Sequence, residues 1–176
     1  NMGILRVDHP DILEFIHCKD DDKGISNFNI SVTVTDRFME ALAKDEEYEL
    51  VAPNNGGVTG KLSARRVWNE IAESAWKTGD PGLVFIDRIN HSPANPIRAE
   101  GWEVESTNPC GEQPLYPFDA CNLGSIFLNY FVGGGKKFDW EKLRETTRTA
   151  VRMLDNVIEM NPFPLSQIKE MVQQIR

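Results

Sequence analysis

The chain has 176 residues, of which 40% are hydrophobic and 26% charged, with 27 acidic against 19 basic side chains and a formal net charge of −8. That balance excludes wholesale disorder and argues against duplex nucleic acid as a partner, because such binding rests on cationic contacts to phosphate. No apolar run approaches the roughly 20 residues needed to cross a membrane, no basic segment leads into an apolar stretch as in a secretory signal, and three cysteines are too few for a disulfide scaffold.

The expected compartment is therefore the cytoplasm, where a functional cysteine serves catalysis, redox chemistry or metal binding rather than cross-linking. Asn1 is not a usual start, and the chain is expected to be a piece of something longer.

In chain order, Ile4 to Val7 reads as a short strand, stopped by Asp8-His9-Pro10. Asp11 to His17 reads as a short helix, with Pro10 suited to its first turn. Asp20 to Gly24 is a charged, solvated turn. Asn27 to Val34 alternates and is β-branched, the clearest strand in the sequence. Thr35 or Asp36 caps a helix to about Lys44.

Tyr48 to Ala52 is a candidate strand, and Pro53 to Gly57 a loop. The Gly56-Gly57 and Gly60-Lys61 steps lack the spacing of a phosphate loop and are expected to form a surface excursion. Ser63 opens a helix with Val67, Ile71, Ala72 and Ala75 on one face, ended by the Gly79-Asp80-Pro81-Gly82 breaker. Leu83 to Ile86 has the continuous apolar character of a buried strand.

Asp87 to Asn95 is expected to be a polar loop, Glu100 to Ser106 weakly extended, and Thr107 to Asp119 irregular. Leu123 to Leu128 is a short apolar run, and Gly133 to Gly135 a flexible turn. Asp139 caps the longest helix, to about Met160, and Asn161-Pro162 stops it. Ser166 starts a last helix to the chain end. Strands alternating with helices predict an α/β fold.

The segment Ser106 to Leu128 carries the chemistry. Asn108, Cys110 and Glu112 stand at alternate positions, and in an extended loop residues two apart point the same way. One pocket would then receive an amide, a thiol and a carboxylate. The thiol is the easiest of the three to oxidise, the carboxylate can accept a hydroxyl proton, and the amide bonds hydroxyls without titrating. Pro109 and Gly111 between them favour a fixed backbone and close approach of a ligand.

Cys121 is a second thiol, eleven residues on. Composition alone leaves a competing account open, a buried structural cysteine beside a loop carboxylate. A cysteine-nucleophile hydrolase needs a base, and no histidine lies near Cys110 in sequence. A zinc site using Cys110 and Cys121 lacks the usual close ligand pair. His9, His17 and His91 are scattered and suggest no metal cluster. Cys18 is taken as structural, and the four tryptophans, Trp68, Trp76, Trp102 and Trp140, as packing residues.

The run Asn108-Pro109-Cys110-Gly111-Glu112-Gln113-Pro114-Leu115 resembles the finger loop of ribonucleotide reductase large subunits, most of all the adenosylcobalamin-dependent class II enzymes. Flanking pieces agree in order: Met2 to Ile12, Asn27 to Val32, Gly79 to Asn90, and Ala150 to Asn156. The resemblance implies residues 1–176 of a ten-stranded α/β barrel, with the finger loop at about 106–121 and a helical part at about 139–176.

It further implies that Cys110 carries a thiyl radical that takes the 3′-hydrogen of a ribonucleotide. Glu112 accepts the 3′-hydroxyl proton, and Asn108 holds the ribose hydroxyls. Asn108, Pro109, Cys110, Gly111 and Glu112 together line the substrate. Cys121 is one of two thiols that reduce the ring. Adenosylcobalamin is the implied cofactor. Implied partners are a thioredoxin-type reductant and the rest of the reductase, as chain or companion subunits. The other member of the thiol pair, the effector loops and the phosphate loop are expected outside these 176 residues. The alternative is a non-catalytic fragment or interaction module that keeps the fold.

Overall fold

The computed structural model describes residues 1–20, 25–98, 101–135 and 137–175. The charged turn at 21–24 and the start of the extended segment at 100 fall outside them. The chain divides into two compact units, Asn1–Pro117 and Phe118–Arg176.

The first unit is built on a three-stranded parallel sheet in the order β1 (Met2–Arg6), β2 (Asn29–Val34), β5 (Gly82–Phe85). Ser31 stands opposite Ile4 on one side and Gly82 on the other. β2 is buried from Ile30 onward, including Ser31 and Thr33. Both faces of the central strand are therefore covered, as is usual for parallel sheets. Gly82 admits close packing here, since a Cβ at this position would stand 2.7 Å from Ser31 Oγ.

The helices α1 (Ile12–His17), α2 (Asp36–Lys44) and α3 (Ala64–Thr78) contribute to the main hydrophobic core. Val7, Ile12, Ile16, Val32, Val34, Phe38, Val67 and Ile71 are its centre. Each fully buried side chain of this size contributes roughly 1.5–3 kcal/mol. Thr35 Oγ1 caps α2 by accepting from Phe38 N at 3.2 Å, and Ser63 Oγ caps α3 by accepting from Arg66 N at 3.2 Å. Tyr48 donates its hydroxyl to Val7 O at 2.9 Å and meets Phe38 edge-on.

His17 links α1 to α3, with Nδ1 2.8 Å from Asp20 and Nε2 3.0 Å from Glu70. The hydrogen bond to Glu70 and that to Asp20 raise its pKa against the opposing effect of partial burial.

Four expectations need correction. Val58–Ser63 is a strand, β4, paired antiparallel with β3 (Glu47–Val51), so Gly60 and Lys61 lie in a hairpin rather than a surface excursion. None of its residues is buried and three of the six are exposed, and Val58–Ser63 lacks the apolar alternation that marks a strand. Ile86–Asn90 forms a helical turn, α4, where strand end and loop are expected. Asp87 holds it by accepting from Asp36 N at 2.8 Å, at the start of α2. Among the described residues the strands form no closed barrel; the sheets have three, two and two strands. Trp68 and Trp102 pack as expected, whereas Trp76 is 84% exposed and Trp140, 70% exposed, keeps a ring contact with Phe138.

The second unit has one turn of 3-10 helix (Leu128–Phe131), α5 (Trp140–Met160) and α6 (Ser166–Ile175). Asp139 caps α5 by accepting from Lys142 N at 2.9 Å. Phe131, Phe138 and Trp140 stack beside that cap, with Lys142 over the Phe131 ring. The run from Leu123 is irregular up to Leu128, where the 3-10 turn begins, and Leu123 and Leu128 are exposed. No residue of α5 is buried, and among the described residues no helix is long and apolar enough to cross a membrane.

Candidate active site

The segment expected to be largely irregular is so apart from a short two-residue ladder that makes it a hairpin. β6 (Ser106–Thr107) pairs antiparallel with β7 (Pro114–Leu115), and residues 108–113 form the connection between them. Asn108 closes its neck three times. Its backbone N–H donates to Gln113 O at 3.1 Å, its carbonyl accepts from Gly111 N at 3.0 Å, and its side-chain Oδ1 accepts from Gln113 N at 3.0 Å.

Alternation does not carry across this connection. Pro109 and Cys110 lie in a turn, and Gly111 turns the chain with a φ of +78°, a left-handed conformation that favours glycine. The three predicted residues nevertheless meet at one hairpin end, with two different burials. Asn108 is buried, whereas Cys110 and Glu112 are exposed. The sequence reading of a shared pocket thus becomes a buried amide that shapes the tip and a thiol and carboxylate that the tip presents.

The thiol of Cys110 is free. A cavity of about 330 Å³ is lined by Leu83, Val84, Phe85, Arg88, Ile89, Ser92 and Gly111. It lies where the carboxyl end of β5 runs into α4. In open α/β sheets that end of the strands is the usual ligand side. Gly111 brings the turn of the hairpin into the wall of this cavity.

The root of the hairpin rests on buried polar residues that periodicity does not reveal. Asn90, at the end of α4, treats Val104 as a neighbouring strand would. Its Oδ1 accepts from Val104 N at 2.8 Å and its Nδ2 donates to Val104 O at 2.9 Å. Asn95 donates from Nδ2 to Asn90 Oδ1 at 2.9 Å and to Trp102 O at 2.8 Å. Tyr116, just past β7, donates its hydroxyl to Asn95 Oδ1 at 2.6 Å, and its ring meets Trp102 edge-on. The only sequence signal for this set is asparagine in a turn-rich stretch, which reads equally well as solvated loop.

Cys121 is free and exposed, and it belongs to the second unit. Among the described residues no three His, Cys, Asp or Glu side chains gather closely enough to hold a metal ion. Cys18 is half-buried on α1's C-terminal side, and that burial pushes its thiol pKa up.

Comparison with known proteins agrees along the whole length. The family model for the ribonucleotide reductase barrel domain matches residues 1–176. A vitamin B12-dependent ribonucleoside-diphosphate reductase from Thermoplasma acidophilum is 52% identical over 100% of this chain and 23% of its own length. One of the same description from Mycobacterium tuberculosis is 40% identical over 99% of this chain and 25% of its own. A vitamin B12-dependent ribonucleotide reductase from Streptomyces avermitilis is 30% identical over 99% of this chain and 21% of its own. The chain spans about a quarter of the length of these relatives. It belongs to the ribonucleotide reductase barrel-domain family.

Proposed function

We propose that the chain is the catalytic-core segment of a ribonucleotide reductase that makes deoxyribonucleotides for DNA synthesis by thiyl-radical chemistry. The observation that carries this reading is the hairpin tip. A free, exposed thiol stands on a turn locked by Asn108 beside a cavity at the carboxyl end of a parallel strand. The three-stranded sheet is an arc of the ten-stranded barrel, and the hairpin is its finger.

The substrate is a ribonucleotide; ribonucleoside diphosphates are the substrates named for the Thermoplasma and Mycobacterium relatives. Hydrogen abstraction from carbon needs contact distance, so the cysteine must stand on a constrained support. Oxidised by one electron, Cys110 takes the 3′-hydrogen of the ribose and returns it at the end of the cycle. Glu112, two residues on and exposed beside it, accepts the 3′-hydroxyl proton as general base. Asn108 Oδ1 is already engaged within the hairpin, whereas its Nδ2 has no hydrogen bond among the described residues. Asn108 therefore acts toward the sugar as a donor.

The cofactor is adenosylcobalamin, a reading supported by the dependence on vitamin B12 that the relatives' names state for them. The residues described here fit it at one point, the Cys110 thiol, which is open enough to be reached by a bulky radical source. When bound, that cofactor supplies the initiating radical. Cys121 supplies one of the two reducing thiols and, being exposed, is within reach of a thioredoxin-type reductant. A reducing cytoplasm keeps both thiols free, and the remaining reductase segments complete the site.

The test is turnover of ribonucleoside diphosphate by the full-length cofactor-loaded protein. Cys110→Ser is expected to fall to background, and Glu112→Gln to lose roughly 10²–10⁴-fold in kcat. Retention of turnover by Cys110→Ser would overturn the proposal.

A further inference from the structure

The height and tilt of the hairpin tip are decided at its root. β6 and β7 are two residues each, too short to hold an orientation by themselves. Their support is the buried set described above. Asn90 grips Val104 by both backbone groups, Asn95 bridges Asn90 to Trp102, and Tyr116 locks Asn95 from the far side of the hairpin. One further backbone bond, Glu105 N to Leu115 O at 3.1 Å, joins the two legs directly above.

Each amide is used nearly to capacity. Asn95 spends both N–H donors and accepts at Oδ1, while Asn90 Oδ1 accepts twice. Asn90 and Asn95 are 8% and 4% exposed, so water cannot replace a lost partner cheaply. α4 is in turn fixed to α2 through Asp87 and through the Arg88–Asp36 ion pair at 2.9 Å. A continuous hydrogen-bonded path thus runs from the sheet-and-helix core to the root of the loop that carries Cys110.

We propose that Asn90, Asn95 and Tyr116 are positioning residues that fix Cys110 relative to the sheet, acting through Val104, Trp102 and the two hairpin legs. This rests on the reading of Cys110 as the hydrogen-abstracting thiol. Their hydrogen bonds to one another, to Val104 and to Trp102 act at the root of the hairpin, and their effect falls on the reacting geometry rather than on substrate affinity.

The experiment uses the full-length, cofactor-loaded reductase with Asn95→Asp and Tyr116→Phe. Asn95→Asp keeps the shape but turns both donors into oxygen facing two acceptors. Tyr116→Phe keeps the ring against Trp102 and deletes a single hydroxyl. Asn95→Asp is expected to lower kcat by about 10²-fold, as for a misplacement on the order of 1 Å, while KM changes far less. Tyr116→Phe follows in the same direction with a smaller loss.

Hydrogen exchange of the same proteins is expected to speed up over residues 102–116, with residues 29–34 and 64–78 keeping their protection. Unchanged kcat in both variants, or a loss of protection that spreads through the core, would overturn the proposal. If Asn95→Asp fails to fold, Tyr116→Phe decides alone, by its kcat and its local exchange. Cys110→Ser separates the two levels. If that variant stays active, the thiyl reading fails, and exchange at 102–116 still reports whether the three residues hold the hairpin.

Discussion

Helices α3 and α5 are written in the same amphipathic script and end in different surroundings. α3 buries Ala64, Val67, Ile71 and Ser74, against a core that includes α1 and α2. α5, six residues longer, buries none and leaves Val151, Met153, Val157 and Met160 exposed. The difference shows what periodicity encodes. It tells which face of a helix is apolar and is silent on what covers that face. In α3 the cover is supplied by neighbouring elements within the first unit, whereas α5 carries an apolar stripe without one among the described residues.

The largest expected effect separates these helices directly. Ile71→Asp places an unpaired charge in the core and is expected to cost more than about 4 kcal/mol in urea unfolding of the full-length protein. Val151→Asp on α5 is expected to stay within about 0.5 kcal/mol if its face is solvated. A loss comparable to that of Ile71→Asp would instead show that α5 is covered by segments outside these residues, and would turn the contrast into a map of the missing contact.

A second comparison uses hydroxyls. Tyr48→Phe leaves Val7 O without its 2.9 Å partner inside the core, at an expected cost of about 1–2 kcal/mol. Thr146 on α5 donates to Lys142 O at 2.8 Å but is only partly buried. Thr146→Ala is expected to be neutral or slightly stabilising, because alanine is the better helix former. The same unfolding curves measure both, and equal losses would erase the distinction between the two regions.

The smallest effect is a pH dependence confined to the first unit. His17 has its folded pKa raised by Glu70 and Asp20. Its contribution is therefore fully present below the unfolded value, about 6.5, and is lost as pH rises through the folded one. Wild type is expected to exceed His17→Gln in urea midpoint at pH 5.5 and to lose that advantage by pH 9. The ring is 39% exposed, so screening keeps the difference below about 1 kcal/mol and salt shrinks it further. A midpoint difference that grows with pH would show that the two carboxylates do not hold an imidazolium.

The capped elements are legible in the sequence. Thr35, Ser63 and Asp139 each sit where the sequence places a helix start, and each accepts the expected backbone bond. β2 announced itself through β-branched alternation. β4 did not, because it has no fully buried residue and is held chiefly by its partner β3. α4 is a single short helix whose placement depends on Asp36, fifty-one positions earlier.

At the site, the residue types Asn108, Cys110 and Glu112 were readable, and their geometry was not. Alternation requires extended backbone, whereas Gly111 turns the chain with a positive φ. Asn90, Asn95 and Tyr116 escaped notice altogether. Buried amides leave no periodic trace, and their value lies in partners that only the folded chain brings together.

The platform under the finger also has a kinetic side. Its hydrogen bonds join residues 14, 5, 7 and 21 positions apart. Pairing of β2 with β5 must bring together Ser31 and Gly82, fifty-one positions apart (31 to 82). By chain statistics the fourteen-residue closure is cheaper than the fifty-one-residue one by about 1 kcal/mol. The mount for Cys110 can therefore assemble from local contacts ahead of the sheet it will stand on, so that the folding chain delivers the reactive loop as a prefabricated part.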